Sequence, residues 1–186
     1  MRLVQIAIIT ALIGGLAHAE TKAGVTMPDT ATLGGKTLVL NGLGLREATI
    51  LNIDVYVAGL YVEAVSSDPV TLLAAPGPKM LVLRFVRDVD RKDILKAWNE
   101  GFKSNATVKL ATIQPQIDQL NAWMGDFADG SSLIFSYVPA TGVEVVVGRT
   151  RKGVLAGDDF ARSLFAIWLG PNPPTKALKR GLLGKH

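Results

Sequence analysis

Arg46 and Tyr56 lie within Val39 to Glu63, VLNGLGLREATILNIDVYVAGLYVE, where apolar residues dominate on both sides of a short polar middle. A β-hairpin centred near Leu51 would set the two residues directly opposite each other, with Cβ atoms about 5 Å apart on one face. Arginine keeps its charge when buried and offers a planar fork of donors that suits a carboxylate. Tyrosine adds one hydroxyl donor. A cation beside a phenol on an apolar sheet is a means of holding a carboxylate or phenolate whose tail is greasy. The competing reading is a local ion pair of Arg46 with Glu47 or Asp54 at the sheet edge. Spacing alone leaves both open.

Few other residues offer chemistry. The chain has no cysteine and two histidines, His18 near the start and His186 at the end. The body therefore has no Ser-His-Asp or Cys-His pair, no thiolate zinc site and no histidine-based metal site. No metal and no cofactor are expected. Gly42-x-Gly44 lacks the third glycine and the following helix of a phosphate loop, so it reads as a turn. Asp158-Asp159 reads as a helix cap. Asp126 and Asp129 read as residues of a helix end and a turn.

The elements that must position Arg46 and Tyr56 begin after a leader. Arg2, an apolar run from Leu3 to Leu16 and Ala17-His18-Ala19 have the charged, apolar and small-x-small order of a secretory signal peptide. The expectation is a signal peptide over residues 1–19, cleaved after Ala19, and one domain over 20–186, periplasmic or secreted. The apolar run is too short to span a bilayer comfortably. Losing Arg2 leaves 19 basic against 16 acidic residues, a balance too even to imply nucleic acid.

Residues 20–36 read as an extended lead-in, followed by a strand from Lys36 to Leu43 that ends in the glycine turn. Leu45 to Leu51 and Ile53 to Ala64 read as further strands; the second alternates with a period of two and is apolar on both faces. Asp68-Pro69 starts a short helix, with Asp68 or Ser67 as its cap, that PGP at 76–78 ends. Lys79 to Arg87 is a strand. Asp88 or Asp90 caps a helix to about Lys103 with Ile94, Leu95, Trp98 and Phe102 as its core stripe. A second helix runs from about Thr112 to Phe127. Three strands follow, Ser132–Pro139, Val143–Gly148 and about Thr150–Leu155. A helix from Asp158 or Asp159 to about Leu169 stops at GPNPP, and a short basic helix closes the chain. Its leucines, 178, 182 and 183, suit the core, and its lysines and arginine suit solvent or a weak membrane-surface contact. Antiparallel strand groups with helices between them make an α+β fold.

NGLGLRE followed by VYVAGLYVE resembles the chalcone isomerase superfamily, whose plant members carry G-x-G-V-R and then a stretch ending G-V-Y-L-E. LVLRFVRDVDRKDILKAWNEGF and FAIWLGPNPPTKALKRGLLG are similar to the family's later strand-helix segment and last two helices. The likeness is closest to the exported bacterial chalcone isomerase-like branch. It implies an open-faced β-sandwich, a large antiparallel sheet with a layer of helices packed on one face, and a pocket between them. It also implies that Arg46 is the family's anion-holding arginine. The threonine of the plant enzymes falls on Tyr56, the residue type of the fatty-acid binders. The enzymes' Tyr-x-x-Lys-x-x-x-Asn falls on Asp93, Lys96 and Glu100, so only the lysine is kept. The resemblance therefore implies a non-catalytic protein holding a fatty acid or similar amphipathic acid with Arg46, Tyr56 and Lys96. Its alternatives are a chalcone-flavanone type isomerase acting on a phenolic ligand with Arg46 as the catalytic residue, and a structural or partner-binding envelope protein.

Overall fold

Fourteen elements follow one another in a computed structural model that describes residues 19–48 and 53–185. They are β1 (Ala19–Lys22), β2 (Val25–Pro28), β3 (Thr30–Leu33), β4 (Lys36–Ala48), β5 (Ile53–Val62), α1 (Pro69–Ala74), β6 (Lys79–Phe85), α2 (Arg91–Asn105), α3 (Leu110–Trp123), β7 (Ser132–Val138), β8 (Gly142–Val147), β9 (Thr150–Leu155), α4 (Asp158–Leu169) and α5 (Lys176–Leu182). The leader up to residue 18 and the expected turn at Leu51 and Asn52 lie outside the described residues.

Strands β3 to β9 pair in chain order as one antiparallel sheet. Period-two alternation divides their side chains between two faces. Tyr56, Ala58, Leu60 and Val62 of β5 turn to the same side as Leu81, Leu83 and Phe85 of β6 and Leu133 and Phe135 of β7, and all join one core. Buried residues from all five helices belong to that same core, among them Leu72, Phe102, Ile117, Trp168 and Leu178. The helices thus form a layer on one face of a large antiparallel sheet, the expected α+β arrangement. Met27, Leu43 and Val57 make a small cluster on the other face.

Residues 20–36 are strands rather than a lead-in. β1 and β2 form a separate hairpin, and β3 pairs with β4 at the edge of the main sheet. Ala23 and Gly24 both have positive φ, as do Gly34 and Gly35, so each turn is the tight two-residue kind that suits a twisted hairpin.

Gly42 and Gly44 are also corrected. They are not a turn but interior residues of β4, a continuous strand of 13 residues. A Cβ on Gly42 would fall on the carbonyl oxygen of Gly181, and one on Gly44 on that of Leu178. The glycines let α5 lie backbone against backbone on the strand. Asn41 is left unpaired at a bulge between Leu40 and Gly42. Its side chain donates to Leu182 O at 2.7 Å and to Ser66 O at 3.1 Å, and accepts from Ser66 N–H at 2.7 Å.

The helix starts are mixed. Asp68 caps α1 as expected, accepting from the N–H groups of Val70 and Thr71. Gly157, not an aspartate, is the cap of α4; Asp158 and Asp159 sit in its first turn. There they complement the helix dipole, and Asp158 accepts from the Tyr137 hydroxyl at 2.9 Å. Among the described residues, no helix is long and apolar enough to cross a membrane.

Candidate functional site

Arg46 of β4 is the cross-strand partner of Tyr56 in β5. Directly opposed residues of an antiparallel pair share a face, and this one is the helix side, since Tyr56 belongs to the main core. Just beyond them the register shifts, so that Glu47 faces Asp54 and Val55 is left over. Such a bulge twists a strand and re-aims its side chains. Here it lets the adjacent residues Val55 and Tyr56 both line one cleft.

That cleft has a volume of about 640 Å³. Its sheet wall is Arg46, Ala48, Val55 and Tyr56; its helix wall includes Asp93, Ile94, Ala97, Trp98, Glu100 and Ile167. The segment 87–90 and the Asn172-Pro173-Pro174 loop complete it. A cavity of this size, with an apolar part beside several polar and charged groups, is of the kind that small amphipathic ligands occupy.

Tyr56 is fixed from several sides. It is 4% exposed, its hydroxyl accepts from Trp168 Nε1 at 3.0 Å, and its ring meets Phe85 edge-on at 5.7 Å. Phe85 in turn stacks on Phe127 at 4.3 Å. Burial pushes the phenol up to about 12, against the opposing effects of the Trp168 hydrogen bond and the Arg46 charge. Tyr56 is therefore a neutral phenol at physiological pH. With its oxygen accepting from Trp168, its own proton has no acceptor among the described residues.

Arg46 is half-buried. Its guanidinium donates to the backbone carbonyl of Glu47. Among the described residues no carboxylate lies within ion-pair range of it, so the local pairing with Glu47 or Asp54 is not formed. Most of its donor capacity is left for a ligand. Together, one guanidinium and one phenol hydroxyl fit a single carboxylate or phenolate.

Lys96 stands apart from the pair. It is exposed on α2 and is not among the residues that line the cleft. Asp93 and Glu100, three residues before it and four after it, do line it. The sequence reading did not single out Trp168, which orients the Tyr56 hydroxyl; it gave Trp98 only a core role. Trp98 is 2% exposed, packs against Trp168 at 5.4 Å between ring centres and has an indole N–H without a partner among the described residues. The only sequence signal for Trp168 is an indole just before the GPNPP stop of α4. Among the described residues no group of three or more His, Cys, Asp or Glu could hold a metal ion.

A seven-stranded antiparallel sheet with a helix layer on one face and an arginine-tyrosine pair at their junction defines a fold class as well as a site. Residues 19–184 match the family model described as chalcone isomerase-like, and the chain belongs to that family. A solved structure of similar fold is a fatty-acid binding protein of Arabidopsis thaliana. It is 16% identical, aligns over 89% of this chain and 96% of its own, and superposes with a TM-score of 0.69. No curated protein matches the chain.

Proposed function

We propose that this is an exported, non-catalytic binding protein of the bacterial envelope that holds a fatty acid or similar amphipathic acid in the cleft. The observation that carries this reading is the opposition of Arg46 and Tyr56 in a cleft that also has an apolar lining of Val55, Ile94, Trp98 and Ile167. The carboxylate would take the guanidinium fork and the phenol proton, and the tail would run along Val55, Ile94, Trp98 and Ile167. Neutral phenol is the form needed, because only it can donate. The name of the similar Arabidopsis protein supports the same ligand class. The leader supports export.

The fit to catalysis is poorer. The residues that take the place of the enzymes' helix tyrosine and asparagine are Asp93 and Glu100, and neither can act as a phenol or an amide. Lipid extraction of the purified mature protein followed by mass spectrometry tests the reading, with a long-chain acid expected. Absence of any acid, together with unchanged binding of a fluorescent fatty acid by Arg46→Ala, removes it. Loss of a hydroxychalcone's visible absorbance above the buffer rate, abolished by Arg46→Ala, would favour the isomerase instead.

A further inference from the structure

The cleft's charges do not all suit an acid. Its lining carries Arg46 and Arg87 but also Asp88, Asp90, Asp93 and Glu100. Two of the carboxylates have work elsewhere. Asp88 accepts from the Asp129 N–H at 2.8 Å, and Asp90 pairs with Lys92 at 3.2 Å. Asp93 and Glu100 have no hydrogen bond or ion pair from their side chains among the described residues. Seven residues apart on α2, they lie on one face at about 10 Å along the axis, with Ala97 between them leaving room.

The deep side of the cleft is the opposite in character. Among the described residues, the proton of the buried Tyr56 hydroxyl and the buried indole N–H of Trp98 have no acceptor. Donors inside and an excess of carboxylates in the lining set a condition on the headgroup. Arg46 can neutralise one negative charge, with Tyr56 donating beside it. A second would meet a lining of four carboxylates against two cations. Arg87, Asp93 and Glu100 are all exposed, and Lys92 and Lys96 lie close to Asp93 on the same helix, so the two carboxylates act through partly screened charge.

We propose that the cleft accepts lipids whose headgroup carries a single negative charge, free carboxylic acids, and rejects phosphate monoesters of the same tail, with Asp93 and Glu100 as the discriminating residues. The inference rests on the acid-binding reading above and narrows it. A phosphate monoester carries about −1.5 to −2 at neutral pH, so it brings up to one charge more than a carboxylate on a bulkier, tetrahedral headgroup; substitution of Asp93 and Glu100 separates charge from shape.

The test uses the mature wild-type protein, with dodecanoate and dodecyl phosphate each displacing a fluorescent fatty acid at pH 7.5. Wild type is expected to favour dodecanoate by about tenfold or more at low salt, and by less at about 0.5 M salt as the carboxylates are screened. Asp93→Asn with Glu100→Gln is expected to narrow that preference about fivefold, by improving dodecyl phosphate more than dodecanoate. Glu20→Gln with Asp118→Asn removes the same charge away from the cleft and should leave the preference unchanged. Equal affinities in wild type, an unchanged preference in the cleft variant, or an equal shift in both variants would overturn the proposal. If dodecanoate binds through Arg46 but the preference does not move, the acid-binding reading stands and this one falls. If neither compound binds, both fall.

Discussion

Two cation-tyrosine pairs face the helix layer, at different places on the same sheet. Arg46 opposes Tyr56, and Lys79 of β6 opposes Tyr137 of β7. The second pair borders its own cavity, of about 280 Å³. There the bonding is closed. Lys79 Nζ donates to Leu72 O at 2.9 Å and Ala75 O at 3.0 Å, finishing the last carbonyls of α1, and lies 5.7 Å from the centre of the Tyr137 ring. The Tyr137 hydroxyl donates to Asp158. Around Arg46 the bonding is open, with a phenol proton unused and no carboxylate in range among the described residues. A cation and a tyrosine in the same cross-strand relation, arginine in one case and lysine in the other, thus build a candidate binding site in one place and a structural joint in the other. What separates them is the bonding capacity that the fold leaves over.

The contrast breaks most sharply under substitution of the cations. Arg46→Ala should weaken a fluorescent fatty acid about 10- to 100-fold in a titration, the size of a lost charge-assisted hydrogen-bond pair, with little change in Tm. Lys79→Met should leave that affinity within about twofold. Similar losses from both would erase the distinction.

Lys79 has a separate signature in pH. Burial, helped by the Arg162 charge, lowers its ammonium from 10.5 to about 8. From pH 8 upward the folded protein gives up this proton while the unfolded chain keeps it. Stability should therefore rise with pH. Between pH 8 and 9.5 the gain is about 1.5 kcal/mol, read as the difference between urea-unfolding free energies of wild type and Lys79→Met, which should lack it. A flat difference would mean that Lys79 is freely solvated.

The tyrosines sharpen the comparison at smaller scale. Tyr56→Phe should cost about three- to tenfold in fatty-acid affinity, one hydrogen bond. Tyr137→Phe should spare affinity and cost about 1 kcal/mol of stability through the lost bond to Asp158. The least change is expected from Lys96→Ala, less than about twofold in affinity, since an exposed charge outside the lining contributes little. A larger effect would bring Lys96 back into the site.

How far the sequence could be read depended on whether a signal was local. Arg46 and Tyr56 could be paired from their numbers on a hairpin centred near Leu51; the pairs nearer the turn are centred half a residue earlier, and the leftover Val55 makes up the difference. The helix stripe of Ile94, Leu95, Trp98 and Phe102 followed from a 3.6-residue period; Ile94, Trp98 and Phe102 are buried, and Leu95 is partly buried at the edge of the core. Gly42 and Gly44 misled because glycine marks both turns and close approach, and the partner that decides between them, α5, lies far along the chain. The strands within residues 20–36 are four residues each and largely polar, too short for a period to stand out, although Gly34-Gly35 is a hairpin turn signal. Lys96 was placed by likeness to a helix motif, and a one-residue step on a helix turns a side chain by about 100°, enough to take it off the wall that Asp93 and Ala97 share. Trp168 could not be foreseen because its bond to Tyr56 crosses 112 positions of sequence.

The close seat of α5 on β4 also bears on the order in which the molecule can be assembled. Asn41 is tied to Leu182 across 141 positions, and Gly42 and Gly44 meet the backbone of residues 178–181. Arg46 stands two residues further along that same strand. Such long-range closure is slow and comes at the cost of a large loop entropy. The strand that presents the arginine receives its covering helix, α5, from a segment made long after it. A growing chain that has not reached residue 182 can pair β4 with β5 and still lack that buttress, so the strand is fully seated only once α5 has been made.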